Sequence, residues 1–252
     1  MHKKLKVITV DFWNTLFDSH DGNIRNDARL NVLISTLKDL SIDINFNKLK
    51  EVINYSWKYY SEIWEKEYRT PNSREIINFI WDEMKFENNS LAINYVVEFF
   101  ENSIIYFPPK ILPYAKQVLG NLSKKYKLAI VSDTGFSPGT NMRKLMKKED
   151  MLEYFSAFSF SDETGVAKPH AFAFRKVLEE LNCSPDEALH IGDIERTDIK
   201  GAVNVGMRAI KYCGDNSVFL DKYRDDSTQA EFVTDSWLEI ENYIEKKNIN
   251  FL

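Results

Sequence analysis

Residues 7–18, VITVDFWNTLFD, decide how the rest of the chain is read. The run LKVITV at 5–10 is rich in Val and Ile and loses its charge toward the end, which suits a strand buried on both faces of a parallel sheet. Asp11 then follows directly at the carboxyl edge, where open α/β sheets collect their ligands. It is read as a buried-edge carboxylate, not a surface one. Trp13, two residues further on, matters equally for what the edge can do.

Working outward, 252 residues are enough for one large domain or a core with an inserted lobe. The 38 acidic and 33 basic side chains are interspersed and sum to −5, so the basic footprint of a nucleic-acid binder is missing. Cys183 and Cys213 lack metal-ligand or redox spacing, no signal peptide is evident, and no apolar stretch approaches membrane-spanning length. A cytoplasmic protein with two reduced thiols is expected, with no nucleic-acid or membrane partner. Nothing in the composition specifies an oligomeric state.

Two strings of breakers, SHDGN at 19–23 and FPPKILP at 107–113, bracket a region that reads as helical throughout, with segments at 47–67, 73–86 and 90–106. Tyr55, Trp57, Tyr59, Tyr60 and Trp64 stud the first segment; such rings usually pack a core, with a few left to face a ligand. Outside the insert, strand-like runs at 127–132, 157–160, 188–191 and 208–212 alternate with helical patterns at 114–125, 140–149, 170–182 and 197–206. Alternation of this kind means βαβ units and a Rossmann-like parallel sheet with helices on both faces. The expected division is a core of 1–17 and 111–252 and an all-helical lobe of 18–110.

Polar groups close three more of these runs: Ser132 ends KLAIVS, Lys168 lies in the loop GVAKP, and the strand ALHI enters GDIERTD with Asp193 and Asp198. In a parallel sheet all such ends share one edge, so these residues can converge with Asp11. Crowded carboxylates repel unless a cation intervenes, and oxygen ligands favour Mg²⁺. One ion can bridge Asp11 and Asp193 only if their carboxylates lie within about 5 Å. The plainer reading of Asp193 and Asp198 is that they cap the following helix.

Taken in order, DFWNT, Ser132, Lys168 in the AKP loop and GDIERTD resemble the haloacid dehalogenase superfamily of hydrolases, and the helical insert sits where that family carries its first type of cap. The resemblance covers residues 1 to about 215. It implies that Asp11 is the nucleophile, that Ser132 hydrogen-bonds the transferring group, and that Lys168 offsets the charge of Asp11. It also implies that Mg²⁺ is held by Asp11, by the backbone carbonyl of Trp13, and by Asp193 with Asp198 in support, and that the substrate is a small phosphorylated molecule. Relatives hydrolyse phosphate monoesters, carbon–halogen bonds or phosphonates.

Family phosphatases usually carry a second Asp where this chain has Trp13. Indole only donates and does not exchange protons near neutral pH, so general acid–base catalysis, about 10²–10⁴-fold, is absent from its usual place. Three readings follow. The first is a Mg²⁺-dependent phosphohydrolase that is slow, prefers good leaving groups or borrows its acid–base group. The second is a 2-haloacid dehalogenase, whose relatives carry Tyr at this position but work without metal and lack the GD form of the last motif. The third is a non-catalytic or regulatory binding protein.

A competing pattern, GFSPG at 135–139, matches the nucleophile elbow of serine hydrolases, with Ser137, Asp162 and His190 in chain order. Pro138 has no N–H for the oxyanion hole such an elbow needs, so a turn is the better reading. His190, inside an apolar strand, is expected in the core and His170 on the surface. Arg69 and Arg74, flanking Pro71, are expected to be solvated, although they could reach an anionic substrate.

Overall fold

The computed structural model describes residues 4–216 and 227–249. Its centre is a parallel sheet of β1 (Val7–Val10), β2 (Lys127–Ser132), β3 (Phe155–Phe160), β4 (Ala188–Gly192), β5 (Arg208–Tyr212) and β6 (Phe232–Thr234), ordered β3-β2-β1-β4-β5-β6. The order reverses at β1, which pairs with β2 on one side and β4 on the other. That is the switch point of a doubly wound sheet. Val10 is level with Ile130 and Ile191, so the ends of β1, β2 and β4 finish together.

Both faces of the sheet are covered. Ile8 and Val10 pack with α5 (Ala115–Leu122), α6 (Gly139–Lys148) and α10 (Trp237–Ile249), while Val7, Ala129 and Val131 face α8 (Ala171–Glu180) and α9 (Lys200–Asn204). Strand side chains alternate between faces, so an uninterrupted apolar run fills two cores at once. A four-residue α7 (Ser161–Thr164) follows β3. The helix expected at 197–206 is divided into a π-helical turn at Glu195–Ile199 and α9.

Between β1 and α5 lies the helical insert: α1 (Gly22–Asp39), α2 (Phe46–Glu67), α3 (Ser73–Met84) and α4 (Ser90–Tyr106). It has its own core, in which Leu33 and Leu37 of α1 meet Val52, Ile77, Trp81, Val96 and Phe100. Asn45, Asn72 and Asn89 each accept a backbone N–H three residues on, caps worth about 1 kcal/mol apiece. The two connections to the sheet layer run side by side: the Asp18 N–H donates to the Lys110 carbonyl at 2.9 Å, and the Lys110 N–H donates to Asp18 Oδ1 at 3.1 Å.

The sequence reading took the region between the two breaker strings as helical but delimited no helix at 22–39, and it assigned none beyond 206. For α1 the reason is physical: its buried stripe reads Arg25, Arg29, Leu33, Leu37, so the apolar period is broken by two arginines at positions that face inward. No described helix is long and apolar enough to cross a membrane.

Candidate active site

Three adjacent strands deliver the site. The Asp11 N–H still donates to the Ile191 carbonyl at 2.9 Å, which locks the end of β1 to β4 before the chain turns away. Lys168 arrives on the loop before α8, where the Lys168–Pro169 peptide is cis. Its Nζ donates to Asp11 Oδ1 at 2.5 Å and to Asp198 Oδ1 at 2.6 Å, and all three side chains are buried. Asp198 can come this close because of Gly192. A Cβ there would stand 2.5 Å from the Asp198 Cγ, so any other residue would push the π-helical turn off the sheet.

Asp198 is fully engaged. Oδ1 meets both Lys168 and His190 Nε2, the latter at 3.0 Å, while Oδ2 accepts from the Ile194 N–H at 3.2 Å and the Thr197 hydroxyl at 3.0 Å. By contrast, Asp193 Oδ2 is shut off from solvent and has no hydrogen-bond partner among the described residues. A buried carboxylate oxygen without a donor is costly, and a cation is the group that would satisfy it. One oxygen each from Asp11, Asp193 and Asp198 lies within 4.8 Å of the others, inside the separation that one ion requires. The donor set is all oxygen, and it fits a hard divalent ion such as Mg²⁺.

The electrostatics reflect the crowding. Burial pushes the Asp11 carboxyl up to about 7, against the pull of Lys168. Burial, then Asp198 and Asp11, raise Asp193 well above the usual carboxylate range. For Asp198 burial acts the same way but is outweighed by Lys168 and His190, which hold it below that range. Burial would lower the Lys168 ammonium, yet Asp11, Asp198 and Asp133 surround it and keep it above its ordinary value.

Asp11, Lys168, Asp193 and Asp198 open into a cavity of about 610 Å³ between sheet and insert, a size that suits a small ligand. Trp13 is half-buried on its wall, edge-on to Phe12 at 5.2 Å between ring centres. The aromatic stripe divides: Trp57, Tyr60 and Trp64 line the cavity, Tyr59 stacks on Phe79 in the insert's core, and Tyr55 is exposed. Ser132 is buried at the end of β2 with its hydroxyl donating to the Asp133 carbonyl at 3.3 Å, and it does not line the cavity.

Sequence reasoning passed over Asp133, whose carboxylate accepts the Lys168 N–H at 3.0 Å and the Trp64 indole N–H at 2.7 Å. It therefore ties the lysine loop, the end of β2 and the insert together. Its position beside Ser132 was the available signal. Arg25 and Arg29 also line the cavity and were missed for the reason given above. Arg69, in contrast, pairs with Glu67 and Glu75, and Arg74 is exposed.

The serine-hydrolase pattern dissolves in three dimensions. Both nitrogens of His190 are taken, by the Thr9 hydroxyl at 2.8 Å and by Asp198, and Asp162 accepts the Gly139 N–H. His190 is a wholly buried core residue and His170 an exposed one.

The chain is similar to several known proteins. A glyceraldehyde 3-phosphate phosphatase of Pyrococcus furiosus is 28% identical over 212 residues, covering 82% of this chain and 80% of that one. Among solved structures, a 2-haloacid dehalogenase from Pseudomonas syringae superposes with a TM-score of 0.68 at 18% identity, covering 96% of this chain and 99% of that one. The magnesium-bound HAD-hydrolase YfnB of Bacillus subtilis gives 0.65 at 18% identity over the same shares. At such identity the two structures speak for the fold alone. Residues 5–206, which run from β1 to the end of α9 and carry every side chain of the acidic edge, match the haloacid dehalogenase-like hydrolases, and the chain belongs to that family.

Proposed function

We propose that the protein is a Mg²⁺-dependent phosphohydrolase acting on a small phosphorylated molecule through an aspartyl-phosphate on Asp11. The observation that carries this reading is the convergence of Asp11, Asp193 and Asp198 within 4.8 Å, with Asp193 Oδ2 buried and unpartnered. Relatives that are phosphatases by name support it. Asp11, Asp193 and the Trp13 carbonyl would hold the ion, with Asp198, whose oxygens are already bonded, supporting from behind. When bound, Mg²⁺ offsets the carboxylates' charge and polarises a phosphoryl oxygen.

Lys168 works against the upward push of burial on Asp11 and aims its carboxylate at the phosphorus. The Asp11 carboxylate attacks phosphorus in line, the bond to the ester oxygen breaks, and that oxygen leaves with the electron pair. Ser132 would turn its hydroxyl from the Asp133 carbonyl to the transferring group. Water then attacks the aspartyl-phosphate, releasing inorganic phosphate and restoring Asp11. The insert, 18–110, acts as a cap that excludes bulk water and selects the substrate.

Trp13 supplies no proton to the leaving oxygen, and both oxygens of Asp133 already serve as acceptors. Good leaving groups are therefore favoured. Replacing Trp13 with Asp should raise turnover of a sugar phosphate by about 10²-fold relative to p-nitrophenyl phosphate, the low end of general acid–base catalysis. The Arg25 guanidinium, 5.5 Å from the indole centre, would hold the new carboxyl ionised and limit the gain. An unchanged ratio in a folded variant means that another residue supplies the proton or that protonation does not limit the reaction.

The reading as a whole is tested by assaying purified protein on p-nitrophenyl phosphate and on 2-haloacids, with Mg²⁺ and with chelator. Phosphate release that requires Mg²⁺ is expected. Halide release undiminished by chelator would establish the dehalogenase instead, and silence on both with ligand-induced stabilisation alone would point to a binding protein.

A further inference from the structure

The face of α1 that enters the insert's core carries Arg25, Arg29, Leu33 and Leu37, spaced four residues apart on one stripe. Leu33 and Leu37 join the apolar cluster, as a buried stripe should. Arg25 and Arg29 are 5% and 7% exposed, yet they continue the same stripe out to the cavity that Asp11, Lys168 and Asp193 also line. Two like charges one turn apart destabilise a helix, and buried cations normally come with an anion.

Among the described residues none forms an ion pair with either guanidinium, although Asp18 and Asp21 act on Arg25 from a distance. Arg29 donates from Nε to the Phe100 carbonyl at 3.4 Å and from Nη1 to Asn26 Oδ1 at 3.1 Å, and its guanidinium lies over the rings of Phe136 and Phe100 at 5.0 and 5.8 Å. Arg25 donates from Nη1 to the Phe107 carbonyl at 3.2 Å and sits over Trp13. Neither makes an ion pair. The nearest acids, Asp18 and Asp21, are held by Lys110, through its N–H at 3.1 Å and its Nζ at 3.3 Å. Burial lowers both guanidinium pKa values, Arg29 to about 9, while Asp18 and Asp21 work against it at Arg25; a guanidinium stays protonated at neutral pH. The first turn of α1, which also borders the cavity, contains no acidic residue to offset them.

Neutral carbonyls explain how the arginines tie α1 to α4, but an uncharged side chain could pack there without the cost of burying charge. What the cost supports is an anion in the cavity. Building on the phosphohydrolase reading, we propose that the substrate carries a second anionic group, a carboxylate or a second phosphate, which Arg29 and Arg25 bind at the cap end while its phosphoryl group lies at Asp11. The preferred class is thus phosphorylated acids or bisphosphates over phosphate esters whose other end is neutral. Trp13 separates the two anion sites, its backbone at the acidic edge and its ring under Arg25.

Non-hydrolysable probes test this apart from catalysis. Calorimetry on the wild-type protein with Mg²⁺ should give 3-phosphonopropionate or propane-1,3-diphosphonate a Kd at least about tenfold below that of propylphosphonate, as expected for one charge-assisted contact. The tighter of the two acids identifies the second group as carboxylate or phosphate. In Arg29→Met the ratio should fall to about one, and Arg25→Met serves if that variant does not fold. Equal Kd values for all three probes in the wild-type protein would overturn the proposal even where p-nitrophenyl phosphate is hydrolysed. A clear ratio without any Mg²⁺-dependent hydrolysis would uphold the anion site and overturn the phosphohydrolase reading instead.

Discussion

Asp11→Asn is expected to lower Mg²⁺-dependent phosphate release by about 10⁴-fold or more on good and poor leaving groups alike, as losing a nucleophile does. A carboxamide matches the carboxylate in shape but is too weak a nucleophile to form the acyl-phosphate. Stability should move the other way. Asp11 is one of three crowded carboxylates, raised to about 7 mainly by burial, so neutralising it relieves repulsion with Asp193 and Asp198 in the metal-free protein. Lys168 keeps Asp198 as its partner at 2.6 Å, so no buried charge is orphaned. Turnover and thermal unfolding, each with and without Mg²⁺, check both halves. Residual turnover within tenfold of wild type would remove Asp11 from the chemistry.

Lys168→Met should destabilise the metal-free protein by about 3–5 kcal/mol, the range for breaking a buried ion pair from one side. The Nζ is bonded to both Asp11 and Asp198, and methionine leaves both buried without it. The pH dependence gives the sharper reading. In the wild type, Asp198 lies below its unfolded value of about 3.9, so its stabilisation is present above that pH and is lost as pH falls through the folded value. Lys168 is raised, so its share is present below its unfolded value of about 10.4 and is lost as pH rises through the folded one. Without the ammonium, burial and mutual repulsion dominate and push the folded-state values of the carboxyls up. The folded variant then binds more protons than the unfolded chain, and its stability rises as pH drops from 8 to 5, relative to wild type. Denaturant titrations at both pH values measure this, and parallel behaviour of the two proteins would mean that Lys168 does not set the site's charge balance.

Much of the edge was legible in the chain. Asp11, Ser132, Asp193 and the strand at 188–191 could be placed because β-branched runs ending in a polar residue have few other uses, and a parallel sheet sends every such end to one side. His190 was readable as core for the same reason. The aromatic stripe was not divisible from sequence, because rings that pack on Phe79 and rings that line a cavity share one helical period. The bounds and inward face of helix α1 stayed hidden because periodicity is read as apolarity, and Arg25 and Arg29 occupy apolar positions.

The order of strands and motifs, the all-helical insert and the set of acidic groups at one edge were determined by the sequence itself, because local pattern and chain direction suffice to specify them. Which of those groups is free and which is spent was decided only by the tertiary structure. Asp198 and Asp193 look alike in GDIERTD, yet one is bonded to Lys168, His190, Thr197 and the Ile194 N–H while the other keeps a buried oxygen with no partner among the described residues. The same holds for the arginines: Arg69 and Arg25 are each one basic residue in a polar stretch, and only packing makes the first a surface ion pair and the second a buried cation over a cavity. The physical reason is that the free energy of a charge depends on its solvation and its partners, and both are properties of the assembled fold.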